Sequence, residues 1–282
     1  MVGSFVRKHD YLICVNSAGC VMNTRNRRHF HCYGPGVVLQ WELEQWRIPV
    51  LERWNQVNLL GMTRGIHPFK ALAIVLSEVD RDCTPIAGVE DLRVWTEAAD
   101  ELSEENLAVW IQSMQAGDGR RCLEKALNWS KAARAGIAQL PVDLMPPFPG
   151  AGEALAELHQ MADVVVLSDD SFETVKEDWS RYDLLKLADA ILPCEPGRKH
   201  HCVATMLQFG YQPDHVLVVG DTPEDWDAAE LNGVGFFPII INQEAESWQE
   251  LRTVGLEKLR GLFYQDYQPV AKQRFLTGLG AI

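Results

Sequence analysis

Five short apolar runs, each followed by turn residues, most constrain what this chain can fold into. Each run is rich in β-branched or aliphatic residues and is short enough for one strand. Helix-length amphipathic stretches lie between them, as at 151–161 and 224–231. Strands that are apolar throughout and alternate with helices are typical of a parallel sheet covered on both faces, so we predict an α/β fold. The runs are residues 11–15, 164–167, 190–192, 216–219 and 236–241.

One long interval, residues 25–145, interrupts this alternation with helical patterns. Six of the nine tryptophans fall in it, and aromatic side chains fill helix interfaces well. The four prolines of segment 141–150 favour an extended linker that returns the chain to the sheet. We therefore predict a core domain of residues 1–24 and 146–282 and an all-helical domain of residues 25–145. The helical patterns are residues 41–57, 68–79, 103–114 and 122–135.

The amino-acid composition limits which binding partners and which cellular compartment we expect. The net charge of −13 argues against a nucleic-acid binder, which normally carries a basic face. No apolar run approaches the roughly 18 residues of a membrane span, and the polar start is unlike a signal peptide. Seven cysteines without CxxC spacing indicate reduced thiols. We expect a cytoplasmic protein, monomeric or homodimeric, that does not bind a membrane.

The segment VLVVGDTPEDWDAAELNGV, residues 216–234, predicts a ligand site. An apolar run ends at Gly220, Asp221 and Asp225 follow, and a helical pattern begins. Carboxylates after a parallel strand lie where open α/β sheets bind ligands, and oxygen is the ligand that Mg²⁺ prefers. The alternative is an acidic helix N-terminus that only complements the helix dipole.

Two further residues suggest phosphate chemistry. Ser168 ends the apolar run of VVVLSDD, where its hydroxyl could donate to a phosphate oxygen. Lys199, in GRKHH, could neutralise phosphate charge. The alternatives are a turn serine and a solvated loop lysine.

Taken in chain order, these features resemble the haloacid dehalogenase (HAD) superfamily of phosphohydrolases. Residues 147–171 and 216–229 carry the resemblance. It implies a three-layer Rossmann-like α/β core with a parallel sheet, an inserted helical cap of the first cap class, Mg²⁺ as cofactor and a small phosphorylated metabolite as ligand. Ser168 and Lys199 are the catalytic candidates that it implies and, with Gly19 and Asp169, the substrate-binding candidates.

The chain departs from the family at the first motif, Asp-x-Asp-Gly. The resemblance implies that the first Asp attacks phosphorus and binds the metal, and that the second transfers a proton. Here Asn16, Ser17, Ala18 and Gly19 stand at those positions. A carboxamide cannot readily form the aspartyl-phosphate. Alanine cannot transfer a proton, a step that typically contributes about 10²–10⁴-fold to the reaction rate.

Binding can survive this departure. The side-chain oxygen of Asn16 and the backbone oxygen of Ala18 remain candidate metal ligands, together with Asp221 and Asp225. We therefore predict a HAD-like protein that binds Mg²⁺ and a phosphorylated metabolite, with phosphatase turnover weak or lost, in effect a pseudoenzyme.

Two other functions stay open. An active hydrolase would need another nucleophile, such as Asp169 or Asp170. Alternatively, it could follow a phosphonatase-like route, in which Lys70 would form a Schiff base with a substrate aldehyde. In either case Arg64 could face an anionic group of the substrate. A non-catalytic module would bind a ligand or a protein. We expect one basic cluster to be a solvated linker rather than to attract an anion: Arg25, Arg27, Arg28, His29 and His31.

Overall fold

The computed structural model describes residues 5–195, 197–255, 257, 259 and 264–281. The chain divides into two compact units, Met1–Arg25 with Met145–Ile282, and Asn26–Leu144. The first unit contains a five-stranded parallel sheet of order β3-β2-β1-β4-β5. The predicted α/β fold is confirmed, and every predicted strand overlaps an observed one. The strands are β1 (Tyr11–Asn16), β2 (Ala162–Ser168), β3 (Ala190–Pro193), β4 (Val216–Gly220) and β5 (Gly235–Pro238).

The helices are numbered in chain order. Helix α1 (Thr24–Arg28) contains the junction between the units. The second unit holds α2 (Gly34–Gln40), α3 (Arg47–Asn55), α4 (Pro68–Asp82), α5 (Val89–Ala98), α6 (Glu104–Ser113) and α7 (Asp118–Ala138). The first unit holds α8 (Ala151–Leu158), α9 (Phe172–Arg181), α10 (Lys199–Leu207), α11 (Pro223–Asn232), α12 (Glu244–Glu250) and α13 (Tyr264–Gly278).

The sheet of the first unit is buried on both faces. Successive strand side chains point to opposite faces, so Ile13 and Val15 of β1 enter one apolar core and Leu12 and Cys14 enter another. Helices α8, α9 and α12 contribute to the first core. Helices α10, α11 and α13 contribute to the second. The unit therefore has the three predicted layers, with β1 in the middle of the sheet.

The second unit is built around aromatic side chains. Trp54, Trp95 and Trp129 are buried, and Phe69 lies edge-on to Trp95 with ring centroids 5.0 Å apart. Such packing is the role expected of these tryptophans. Ser103 caps α6 by accepting the N–H of Asn106 at 3.1 Å.

The helical pattern predicted over residues 41–57 is observed from Glu44 onward, whereas residues 41–43 form a turn. Helix α2 has ended before Trp41, and Glu42 adopts a left-handed φ of 56°. Proline is tolerated only in the first turn of a helix, and Pro49 stands in the first turn of α3. The chain therefore turns after α2, and the predicted helical pattern begins three residues later than expected, at Glu44.

Within the described residues, none of the helices has the length and apolar character that a membrane crossing requires. None of the seven cysteines, all of which lie in the described part of the chain, is in a disulfide bond.

Candidate functional site

The carboxyl ends of three neighbouring strands bring the predicted residues together. Strand β1 pairs in parallel with β2 on one side and with β4 on the other. Asn16 ends β1, Ser168 ends β2, and Asp221 directly follows β4. All three side chains are buried, so the site lies within the folded unit.

The turn from β4 into α11 fixes the two carboxylates. A Cβ atom added to Gly220 would lie 2.3 Å from the Cβ of Asp225, so glycine is required where the strand meets the helix. Asp225 Oδ2 accepts the backbone N–H groups of Asp221 and Thr222, both at 3.0 Å, and the Thr222 hydroxyl at 2.8 Å. Thr222 caps α11 in return, forming a capping box. Sequence reasoning missed Thr222, although the spacing Thr-x-x-Asp at a helix start was a usable signal.

Lys199 is the first residue of α10 and its side chain is 0% exposed. Its Nζ donates to Asp225 Oδ1 at 2.8 Å and to Asn16 Oδ1 at 3.4 Å, and lies 3.6 Å from Asp169 Oδ2. Burial lowers the pKa of Lys199, but Asp169 and Asp225 raise it by more, so the pKa lies above its ordinary value. The alternative of a solvated loop lysine is wrong, since this ammonium is a buried permanent cation.

The pKa of Asp225 is shifted in the opposite direction, downward. Burial raises its pKa, but the charge and hydrogen bond of Lys199, with the hydrogen bonds from Thr222, lower it below the ordinary value of 3.8. Asp225 and Lys199 therefore form a buried ion pair at neutral pH.

The last residue of β1, Asn16, has an amide side chain instead of a carboxylate. Asn16 Nδ2 donates to Asp221 Oδ1 at 2.6 Å and to the Ala18 carbonyl at 3.2 Å. Ser17 Oγ accepts the indole N–H of Trp179 at 3.0 Å, a partner that the sequence did not reveal. Asn16 thus lies between Lys199 and Asp221, with its oxygen toward the cation and its nitrogen toward the anion.

Two predicted substrate-binding residues make local contacts. Gly19 has φ 86°, a left-handed value that favours glycine, and its N–H donates to the Met22 carbonyl at 2.8 Å. Ser168 Oγ accepts the backbone N–H of Asp170 at 3.1 Å, which closes the turn after β2.

Arg25 is a site residue that sequence reasoning missed. Its side chain is only 10% exposed, so the expectation of a solvated basic linker is wrong for this residue, and His29 is buried as well. Arg25 Nε donates to the Ala18 carbonyl at 3.2 Å and lies 3.7 Å from Asp221 Oδ2, while Nη2 lies 3.9 Å from Asp169 Oδ2. Burial lowers its pKa, but the surrounding carboxylates, Asp221 first, raise it by more.

Arg64 and Lys70 belong to the second unit. Arg64 is buried there, and its Nη1 donates to the Leu59 carbonyl at 2.9 Å. Lys70 lies exposed on α4, and its charge adds to burial in lowering the pKa of His67 to about 4. Their roles toward a substrate stay predictions.

A sequence model of the haloacid dehalogenase-like hydrolase family matches residues 96–239, just over half of the chain. The chain belongs to this family. The matched range includes Ser168, Lys199, Asp221 and Asp225 but not β1. Lys199, Asp221 and Asp225 thus lie inside the family match, and Asn16, Ala18 and Arg25 lie outside it. No curated protein sequence matches the chain significantly.

Solved structures of other proteins resemble this haloacid dehalogenase-like hydrolase at low sequence identity. A predicted phosphoglycolate phosphatase from Haemophilus somnus is 15% identical, with 81% of this chain and 84% of that chain covered and a TM-score of 0.46. L-2-haloacid dehalogenase from Xanthobacter autotrophicus is 15% identical, with 89% and 87% covered and a TM-score of 0.41. Likenesses of this size do not extend to function.

The predicted Mg²⁺ ligands of the hydrolase lie together, but their oxygens already accept N–H donors. Asp221 Oδ1 accepts Asn16, the Ala18 carbonyl accepts both Asn16 and Arg25, and Asp225 Oδ1 accepts the ammonium of Lys199. In the part of the chain that the structure describes, no group of three or more His, Cys, Asp or Glu side chains could hold a metal. This arrangement of donors does not fit a divalent cation.

Proposed function

We propose that this haloacid dehalogenase-like hydrolase binds a small phosphorylated metabolite at the strand tips and that its phosphatase turnover is weak or lost. The proposal is carried by one observation. At the position where the resemblance implies a nucleophilic aspartate, the Asn16 carboxamide donates to Asp221 at 2.6 Å and accepts from Lys199 at 3.4 Å. Both functional atoms of the amide have partners, and neither is an anionic oxygen.

Two cations, the buried Lys199 and the largely buried Arg25, support the binding of a phosphate group. Lys199 and Arg25 stay charged at neutral pH, because nearby carboxylates outweigh the effect of burial on their pKa values. Asp169 approaches them at 3.6 and 3.9 Å, beyond ordinary hydrogen-bond distance. A phosphoryl group that made closer, charge-assisted hydrogen bonds would replace Asp169 as their partner.

Turnover fails at the chemical step. A carboxamide at position 16 cannot form the acyl-phosphate bond, and the Ala18 methyl group can neither protonate the leaving oxygen nor activate water. Asp169, the alternative nucleophile, lies 3.6 Å from Lys199 Nζ and 3.9 Å from Arg25 Nη2, so both cations compete with phosphorus for its oxygens. Magnesium, the cofactor that the resemblance implies, takes no part in this proposal because the oxygens expected to bind it are engaged by N–H groups.

Two measurements on one preparation test the proposal. The first is calorimetric titration with inorganic phosphate, and the second is the hydrolysis rate of a generic phosphate ester. We expect the unmodified protein to bind phosphate without hydrolysing the ester. Hydrolysis at about 1–10³ s⁻¹ by the unmodified protein, or no phosphate binding, would contradict the proposal.

Matched variants assign the result to the pocket. Lys199→Met should abolish phosphate binding, whereas Lys186→Met, which changes a lysine that is 64% exposed, should preserve it. Asn16→Asp with Ala18→Asp, made with and without Arg25→Met, supplies the missing carboxylates. At least one of these two proteins should gain about a hundredfold or more in hydrolysis rate.

A further inference from the structure

Three oxygens from separate parts of the first unit surround the Arg25 guanidinium. They are the Ala18 carbonyl at 3.2 Å, Asp221 Oδ2 at 3.7 Å and Asp169 Oδ2 at 3.9 Å. One follows β1, one follows β4 and one follows β2. Oxygen atoms that converge from several strand tips would ordinarily bind a hard cation. Here the cation that they face is a side chain of the same protein.

We propose that Arg25, together with the amide of Asn16, takes the place of the divalent cation in this pocket, so that the protein does not bind Mg²⁺ there and binds its phosphorylated ligand without metal.

Charge balance supports this exchange. An aspartate at position 16 with Mg²⁺ would bring one negative and two positive charges, a sum of one positive charge. Asn16 with Arg25 brings the same sum from a neutral amide and one guanidinium. The other charged groups are common to both arrangements: Lys199 and the carboxylates of Asp169, Asp221 and Asp225. Replacing Asp by Asn at position 16 alone, or Mg²⁺ by Arg25 alone, would therefore change the net charge of the pocket and be costly. Made together, the two replacements leave the net charge unchanged, because each compensates for the other.

Hydrogen bonding supports it as well. Asp221 and the Ala18 carbonyl are two of the groups that would hold a metal. In this structure Asn16 Nδ2 joins the same two groups, at 2.6 Å and 3.2 Å, and Arg25 Nε adds a second bond to the carbonyl. A guanidinium does not lose its proton in proteins, and its planar fork suits phosphate oxygens. The resident cation is thus both permanent and suited to the ligand.

The inference rests on the proposed function and deepens it, because it names a cation that faces the phosphoryl group. Its test is independent of that function, because Mg²⁺ binding is measured in the absence of any phosphorylated ligand. Magnesium chloride alone would be titrated calorimetrically into the unmodified protein and into Asn16→Asp/Arg25→Met. Methionine keeps an apolar stem in place of the arginine stem while removing the charge. The matched control is Asn16→Asp/Arg198→Met, which removes an arginine whose side chain is 62% exposed.

We expect no saturable Mg²⁺ binding at millimolar concentration for the unmodified protein. The Asn16→Asp/Arg25→Met protein should bind Mg²⁺ at least about tenfold more tightly than the Arg198 control, since only the former removes the competing guanidinium charge. Submillimolar Mg²⁺ binding by the unmodified protein would overturn the inference. So would a folded Asn16→Asp/Arg25→Met protein that binds Mg²⁺ no better than the control.

Loss of folding does not remove the test. If Asn16→Asp/Arg25→Met is unfolded in EDTA, Mg²⁺ should restore its cooperative thermal transition, because a metal that binds only the native state stabilises it. Failure of Mg²⁺ to restore folding would count against the inference. A parallel titration with inorganic phosphate in EDTA separates the two proposals. Absence of phosphate binding to the unmodified protein contradicts the proposed function, whereas the Mg²⁺ titrations decide the role of Arg25.

Discussion

The tips of β1 and β4 differ in chemistry although they lie side by side in one sheet. After β4, Asp221 and Asp225 are held by the start of α11 and by Lys199. After β1, an amide and a methyl group stand at positions 16 and 18, and Arg25 contacts the Ala18 carbonyl. Both tips are buried and hydrogen-bonded. The comparison teaches that the charged groups after β4 and the positions after β1 where covalent chemistry would take place are separate parts of this site. The residues of one part can therefore change while those of the other persist.

The largest expected effect comes from removing the cation of the β4 tip. Lys199→Met leaves Asp225 buried without its ion-pair partner, which costs about 3–5 kcal/mol in the free energy of unfolding. Urea unfolding at neutral pH measures the loss. Lys186→Met, at an exposed lysine, should leave the free energy nearly unchanged, and an equal loss in both variants would show that Lys199 is not the partner that the β4 tip depends on.

The pH dependence of that loss comes next. The pKa of folded Asp225 lies below its ordinary 3.8, so the pair's contribution is present above that value and lost as pH falls through the folded pKa. The pKa of folded Lys199 lies above its ordinary 10.5, so the contribution is complete below 10.5 and lost as pH rises through the folded pKa.

In Lys199→Met, burial raises the pKa of the unpaired Asp225, so the difference in unfolding free energy between the unmodified protein and this variant should shrink as pH falls from neutral toward the acid limit. Urea unfolding across that pH range measures it. A difference that grows as pH falls would contradict the buried ion pair.

A smaller effect is expected at the strand end itself. Gly220→Ala places a Cβ atom 2.3 Å from the Cβ of Asp225, and overpacking of this kind costs about 1–3 kcal/mol. The control is Gly117→Ala, where an added Cβ atom has nothing within 4 Å. Thermal unfolding compares the two. Equal melting temperatures would mean that the β4 turn relaxes easily, which the capping box argues against.

The smallest effect is expected at the helix cap. Thr222→Ala removes a hydroxyl that accepts the Asp225 N–H at 3.3 Å and donates to its carboxylate at 2.8 Å, a change that costs about 1 kcal/mol. Thr222→Ser keeps the hydroxyl and should recover most of the loss. Melting temperatures that fall equally in both variants would assign the effect to the lost methyl group instead.

Local signals were sufficient to predict the fold. Apolar runs and helical periods each depend on neighbouring residues, so five strands and most helices could be placed from the sequence. Burial alone, however, does not define a strand. Residues 236–241 were predicted as one, but β5 ends at Pro238, because β4 offers no partner beyond Gly220, and Ile239 and Ile240 are buried outside the strand.

The candidate site could be predicted only in part. Ser168, Lys199 and Asp221 follow runs or motifs whose ends must meet in a parallel sheet, so their proximity was predictable. Arg25 was not, because it stands in a basic cluster whose composition is that of a solvated linker. Only the path of the chain after β1 turns this one side chain toward the strand tips, and no spacing rule in the sequence encodes that path.

A crystal structure of the unmodified protein grown with magnesium chloride and inorganic phosphate tests the central claim most directly. We predict the Arg25 guanidinium within hydrogen-bond distance of the Ala18 carbonyl, phosphate near Lys199, and no metal beside Asp221. A Mg²⁺ ion coordinated by Asp221 and the Ala18 carbonyl, with the Arg25 side chain displaced, would contradict the account.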